Sequence, residues 1–437
     1  VIHQSTRGRR SRIRPRSIHR VLVALALAGA LLAGCAPAPT GSARPDASGG
    51  PSAGPTDGAT PRPEGGRQLY GFVPYWEMDE GIADHLRETP LSTLALFSVT
   101  ARPSGKLATG QPGYRAITGE IGARLIREAR ERGVRTELVF TSFGESRNRD
   151  FFGDLERQDA TIAALVDLAG ELGVDGINVD VEAMPVSLVV AYGVFVGRLR
   201  EAIEAADADD SVSVATQANR TGAAMAAVAA LAGADRIFLM GYDYRVNASW
   251  PGAIAPLARR DGDERHLAWS LDQYAAAGVP ADRLLLGLPL YGRTWPVTDA
   301  EIGAPPTGPG STWIPRRNLD LLRDPAAVPV RDEIEIVELY AVGPDGRPWA
   351  APTPAPTAPA TASLGSSASP GPSAPPAVPP DGLRAVYVDS PETLEPKLAL
   401  VDERGLAGGG FWAIGYERGL PGYTELMDRF VAGERME

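Results

Sequence analysis

The chain has 437 residues, 44% of them hydrophobic, with 49 Gly and 39 Pro, enough for one large domain with linkers or two ordinary domains. Its formal net charge is -11, and the first 34 residues hold seven Arg and no acid, so the remainder is more acidic still; this balance argues against a nucleic-acid partner. A single cysteine, Cys35, leaves no disulfide framework and no cysteine metal site, and with only four His no metal centre or cofactor is expected.

The N-terminal segment has three parts. Arg7 to Arg20 is basic, 21–32 is apolar, and Leu32-Ala33-Gly34-Cys35 follows. The apolar run is shorter than the ~20 residues of a membrane-spanning helix and suits an export signal. Leu-Ala-Gly-Cys resembles the lipobox of bacterial lipoproteins, in which the Cys is diacylated and becomes the new N-terminus. A plain signal peptide with an incidental Cys is the alternative. The expectation is a lipoprotein signal over 1–35 and an extracytoplasmic protein held on the cell membrane through Cys35. Residues 36–67, rich in Pro, Gly, Ser and Ala, read as a disordered tether.

From Leu69 the pattern becomes strands alternating with amphipathic helices. Strands are predicted at 69–73, 93–99, 135–141, 176–181, 212–216, 236–240, 284–289 and 409–414. Helices are predicted at 120–132, 160–172, 188–205, 223–231, 267–277, 391–404 and 423–431. Eight such strands point to a (β/α)8 TIM barrel over 68–437. A doubly wound open sheet is weaker, because no Gly-x-Gly-x-x-Gly follows the first strand. The interval between the seventh and eighth strands is too long for a βα connection. It reads as a small α+β insertion, 294–388, with short strands at 333–340 and 383–388 around a disordered Pro/Ala/Ser/Thr loop at 351–380.

The most informative run is Asp175-Gly176-Ile177-Asn178-Val179-Asp180-Val181-Glu182. As a strand it puts Ile177, Val179 and Val181 on one face and Asn178, Asp180 and Glu182 on the other. Alone, this pattern also suits an edge strand with its acidic face in water. Within a barrel series it points to a lined polar cavity, since burying three polar groups in a row is costly without partners. Asp175 has the opposite parity and reads as structural.

Catalytic groups of such barrels stand at the C-terminal ends of the strands. Here those ends carry Tyr75-Trp76, Thr141-Ser142-Phe143-Gly144, Asp180 and Glu182, Met240-Gly241-Tyr242-Asp243, Tyr291-Gly292-Arg293 and Trp412. Aromatics around a carboxylate pair are the composition of a carbohydrate cleft. Any one of these aromatics could equally be ordinary packing; their recurrence at one end of successive strands is what carries the reading.

At these residues the chain resembles glycoside hydrolase family 18. The Asp-x-x-Asp-x-Asp-x-Glu signature appears as Asp175, Asn178, Asp180 and Glu182, and Met-x-Tyr-Asp as Met240, Tyr242 and Asp243. The run Leu286-Gly287-Leu288-Pro289-Leu290-Tyr291-Gly292-Arg293-Thr294-Trp295 and Trp412 are similar to the family's seventh and eighth strands. Asn178 departs from the signature's Asp, as in members of the spore-germination and cortex-lytic type that act on peptidoglycan.

The resemblance implies retaining, substrate-assisted hydrolysis of β-linked N-acetylglucosamine polysaccharide, chitin or peptidoglycan, by a monomer without cofactor. Glu182 is the implied general acid/base, kept protonated by burial and by the charge of Asp180. Asp180 would hold the acetamido N–H and stabilise the oxazolinium, and Tyr242 would donate to the acetamido group. Asp243 would lend polar support, Asn178 would donate to Asp180, and Trp412 would floor the reacting sugar. Met240, Tyr75, Trp76, Tyr291 and Arg293 complete the expected binding residues. A non-catalytic glycan-binding lipoprotein on the same fold is the alternative, disfavoured by Glu182; a two-lobed solute-binding lipoprotein is disfavoured by the eight strands.

Overall fold

The computed structural model of the protein describes residues 67–349 and 382–436. The leader with Cys35, the tether apart from Arg67, and the stretch 351–380 lie outside the described residues.

Seven strands run parallel, each paired with the next: β1 (Gln68–Pro74), β2 (Thr93–Thr100), β3 (Arg135–Phe143), β4 (Gly176–Glu182), β5 (Ser211–Gln217), β6 (Arg236–Met240) and β7 (Leu284–Pro289). Five short strands follow: β8 (Gly292–Pro296), β9 (Ser311–Trp313), β10 (Val330–Asp332), β11 (Val337–Val342) and β12 (Arg384–Val388). β13 (Gly408–Trp412) then pairs with both β7 and β1 and closes the barrel.

The helices begin where side chains satisfy the open N–H groups of a first turn. Asp79, Asp154 and Asn219 accept from the backbone N–H of Ile82, Arg157 and Gly222, at 2.8, 3.0 and 2.9 Å. Gly173, at φ 67°, ends Leu155–Leu172 in the left-handed region that glycine tolerates.

Alternation along each strand divides the barrel into an outer and an inner core. Ile177, Val179 and Val181 of β4 pack outward in the large helix-facing cluster. Inside, Tyr70, Phe72, Ala95, Val139, Ala215, Phe238 and Leu285 fill the barrel. The ring of Phe238 lies 5.6 Å from that of Tyr70 and 4.9 Å from that of Phe72. Gly287 makes room for it, since a Cβ there would come 2.2 Å from Phe238 Cε1.

A polar cluster lies within this inner core. Tyr70 OH donates to Glu137 Oε2 at 2.6 Å, Ser213 donates to the same oxygen, and Asn178 Nδ2 donates to Ser213 Oγ at 2.7 Å. Burial raises the Glu137 carboxyl above its ordinary range, and the hydrogen bonds from Ser213 and Tyr70 oppose that rise.

The insertion is a five-stranded antiparallel sheet in the order β10-β11-β12-β8-β9. It begins at Gly292, slightly before the expected 294, because β8 follows β7 almost without a linker. Trp295, Val337, Leu339, Ala385 and Tyr387 form its core. Arg316 ties it to the barrel by reaching Glu77, buried beside the β1 end, and Asp79.

Three sequence expectations are corrected. Residues 333–336 form a turn, not the start of a strand: Asp332 Oδ1 accepts from Ile334 N and Glu335 N. Glu335 is thereby buried against Arg245 and Ala253 N, so its place in an alternating run misled. β13 ends at Trp412 rather than 414. Helices Glu80–Glu88, Pro112–Ile117 and Glu145–Phe152 are additional to those predicted.

Candidate active site

A cleft of about 590 Å³ opens at the C-terminal end of the barrel strands, within the size range of small-molecule sites. Its floor comes from β4. Asp180 pairs in register with Thr141 of β3 and Ala215 of β5, and is buried. Glu182, the last residue of β4, is half-buried and pairs with Phe143. Both carboxyls line the cleft.

No described residue donates a hydrogen bond or a cation to either carboxyl, and Asp180 Oδ1 is buried without a partner. Burial, and then the charge of Glu182, push Asp180 well above the ordinary carboxylate range. Burial, and then the charge of Asp243, raise Glu182. The repulsion between Asp180 and Glu182 expected from the sequence is present, and Asp243 adds a further negative charge near Glu182. The two acids titrate as a pair that keeps a proton above the usual carboxylate range.

Beyond Glu182 the chain turns sharply. Ala183 adopts φ 57°, a left-handed conformation that costs a non-glycine residue roughly 1–2 kcal/mol. Asn148 Nδ2 donates to the Glu182 carbonyl at 2.7 Å, and Gly144 N donates to it at 3.2 Å.

The adjoining wall comes from the end of β6, two strands along the barrel from β4. Met240 and Tyr242 line the cleft, and Tyr242 OH has no hydrogen-bond partner among the described residues. Burial, and then the charges of Asp180, Glu182 and Asp243, hold that hydroxyl well above the usual phenol range. It therefore stays a neutral donor. Asp243, at φ 59°, turns its carboxylate outward, where Tyr291 OH donates at 2.8 Å and Arg293 Nη2 at 2.7 Å.

Aromatic rings form the rest. The Trp412 ring lies 4.7 Å from Phe97, 5.5 Å from Phe72 and 6.4 Å from Trp76. Trp76 Nε1 donates to Tyr416 OH at 3.0 Å, which fixes the indole while 41% of the residue stays exposed. Tyr75 and Tyr291 also line the cleft.

The barrel thus brings together Tyr75, Trp76, Asp180, Glu182, Met240, Tyr242, Asp243, Tyr291 and Trp412. Two expected residues do not reach the cleft wall. Asn178 is fully buried one layer below and bonds Ser213, not Asp180, because Ser213 stands beside it in the β4–β5 register. Arg293 lies on β8 and is held by Asp243 and Asn247. Phe97, Gln217, Asn219, Tyr244 and Arg265 line the cleft without having been expected. Gln217, the last residue of β5, obeys the same strand-end rule that singles out Trp412; the others sit on a strand interior or on loops whose course the sequence does not reveal.

A sequence model described as "Glycosyl hydrolases family 18" matches residues 125–417, well over half of the chain and every strand from β3 to β13. The chain belongs to this family. Curated relatives match it only locally. Chitotriosidase-1 of Mus musculus is 35% identical over 86 residues, 18% of this chain and 18% of that protein. Oviduct-specific glycoprotein of Ovis aries is 37% identical over 83 residues, 18% of this chain and 15% of that protein. The matched span is less than a fifth of the length of either relative.

Solved structures share the fold over most of this family 18 chain. The class V chitinase of Nicotiana tobaccum superposes with TM-score 0.65 at 17% identity, covering 84% of this chain and 99% of that one. The spore cortex-lytic enzyme SleL of Bacillus cereus gives 0.60 at 17%, over 85% and 75%. A family 18 N-acetylglucosaminidase from Paenibacillus barengoltzii gives 0.62 at 17%, over 84% and 99%.

Proposed function

We infer that this family 18 protein hydrolyses β-1,4-linked N-acetylglucosamine glycans with retention of configuration, through participation of the substrate's own acetamido group. One observation carries the reading. Asp180 and Glu182 share the inward face of β4 with no cation or donor among the described residues to neutralise them, in a cleft walled by aromatic rings and the hydroxyl of Tyr242, which has no partner among those residues. Such a pair retains a proton for transfer.

In the first step the acetamido oxygen bonds to the anomeric carbon as the glycosidic C–O bond breaks, and Glu182 gives its proton to the leaving oxygen. Asp180 accepts from the acetamido N–H and balances the positive oxazolinium. Tyr242 donates to the acetamido group. Water then attacks the anomeric carbon while Glu182 takes its proton, restoring the enzyme. Sugar rings stack on Trp412 and Trp76. The names of the structural neighbours, two being chitinase and spore cortex-lytic enzyme, support chitin and peptidoglycan as the substrates to compare. The motif at Cys35 supports a lipid anchor on the outer face of the membrane, two acyl chains giving stable attachment; a fatty-acid probe should label the protein and not Cys35→Ala.

Incubation with chitooligosaccharides and with purified peptidoglycan, read by mass spectrometry and by NMR of the fresh anomeric centre, tests the reaction. Release of β-configured N-acetylglucosamine ends is expected. Inverted product would mean direct attack by water and a different base. Binding of both glycans without cleavage would make the protein a lectin.

A further inference from the structure

Helix Glu145–Phe152 carries a fully buried amide that the reaction above does not use. Asn148 Nδ2 donates to the backbone carbonyl of Glu182 at 2.7 Å and reaches that of Ala183 at 3.4 Å. Its Oδ1 accepts from Ser142 Oγ at 2.8 Å, and Ser142 is itself buried on β3. The hydroxyl orients the amide so that its N–H groups face the two carbonyls. A carboxamide meets this demand because it offers an acceptor and a donor from one planar group.

The place where these bonds fall is informative. The β3–β4 ladder ends at Phe143 and Glu182, and β5 pairs with β4 no further than Asp180. Beyond it the chain enters the left-handed turn at Ala183. The carboxyl of Glu182 has no partner of its own among the described residues, so its aim is set by its backbone. Asn148 and Gly144 N hold that backbone at the Glu182 carbonyl.

We propose that Asn148, oriented by Ser142, is a positioning residue that sets the direction of the Glu182 side chain and keeps its carboxyl over the cleft. This rests on Glu182 being the acid/base of the proposed reaction. The amide touches no substrate and transfers no proton. It fixes where the proton donor stands, and misplacing a reacting group by about 1 Å can cost 10²-fold in rate.

The test compares the full chain with Asn148→Asp, Asn148→Leu, Ser142→Ala and Arg149→Ala, on whichever of chitotetraose or purified peptidoglycan the wild type cleaves. Asn148→Asp keeps the shape but sets oxygens against the two carbonyls. Arg149 is exposed on the same helix and serves as the control. Asn148→Asp and Asn148→Leu should lower kcat by about 10²-fold with KM nearly unchanged, measured well below their melting temperatures. The basic limb of the pH–rate profile should move to lower pH as the Glu182 carboxyl gains solvent. Ser142→Ala, which leaves the amide in place but free to rotate, should lose severalfold in kcat and still fold. Arg149→Ala should match the wild type.

Unchanged kcat in the Asn148 variants, or a loss that only tracks their melting temperatures and vanishes on cooling, would overturn the proposal. Should the Asn148 variants not fold, an unaltered kcat and pH profile in Ser142→Ala would do the same. A wild type that cleaves neither glycan, or a fully active Glu182→Gln, would instead remove the reading of Glu182 on which the proposal depends.

Discussion

Asn178 donates from Nδ2 to Ser213 Oγ at 2.7 Å and so faces down into the barrel, away from Asp180 two residues further along the same face. Ser213 passes its own hydrogen to Glu137, which Tyr70 also serves. The amide is therefore the upper member of a buried polar cluster, and its neutrality keeps one more charge out of a region where burial already raises Glu137 and Asp180.

Replacing that amide by a carboxyl should leave a folded, active protein whose stability depends on pH. In Asn178→Asp the new acid would be buried near Glu137, so its folded pKa would lie above the unfolded value of ~3.9. The native state then binds the proton more tightly, and stability falls as pH rises from about 4 towards neutrality. A loss of ~1–3 kcal/mol relative to the wild type is expected at pH 7. Thermal melts at pH 4 and pH 7 check this; an equal deficit at both would count against it.

Removing either member of the acid pair should trade activity for stability. Glu182→Gln and Asp180→Asn should each lose at least ~10²-fold in kcat, the lower end of what positioned acid–base groups contribute. Both carboxyls are raised in the folded state. The stability they contribute is full below the ordinary carboxylate range and is lost as pH rises through the raised values. Neutral isosteres escape that loss, so both variants should melt higher than the wild type at pH 7. A lower melting temperature in Asp180→Asn would contradict the argument.

Asp210, just before β5, offers the same test away from the cleft. Burial, then the charges of Asp207 and Asp175, raise it to about 6. Its ionisation destabilises the fold between ~3.9 and about 6, and the deficit persists above that. Asp210→Asn should melt higher at pH 7.5 and equally at pH 3.5. The site is partly exposed, and solvent screening should keep the gain to a few degrees. No difference at pH 7.5 would show that the acidic neighbours are screened completely.

The tie between insertion and barrel should be costly to cut from one side. Arg316→Ala would leave Glu77, only 1% exposed, without its nearest cation, and a loss of ~1–3 kcal/mol is expected because Arg317 and Arg418 still act on it. Adding Glu77→Gln should restore most of the stability, since the charge left behind is then gone. Melting temperatures of the two singles and the double form the cycle; a fully additive double would mean that the pair is not coupled.

The barrel was legible in the sequence because its signals were local and periodic. Ile177, Val179 and Val181 alternate with Asn178, Asp180 and Glu182, and the structure sends the two sets to opposite sides. Helix Glu145–Phe152 was not legible, being polar except at its end, and with it Asn148 went unseen. Its role comes from a contact with a residue 34 positions on, which no local pattern encodes. Asn178 and Arg293 had the right parity and strand position, yet which neighbour captures such a group depends on register and on the path of the next strand. Residues 333–336 show the converse error, an alternating run whose buried member belongs to a turn.

The antiparallel pairing of β11 with β12 sets Val342 opposite Arg384. Val342 also bridges Pro348, so the chain on both sides of the interval 350–381 is gathered at one end of the insertion sheet. The two strands, not the interval, bring those ends together. Because closing a loop grows costlier only with the logarithm of its length, sequence there can be gained or lost over generations with little effect on folding. Among lineages that carry this barrel, the interval is a natural place for length to drift, or for a module to be grafted without reworking a single barrel strand.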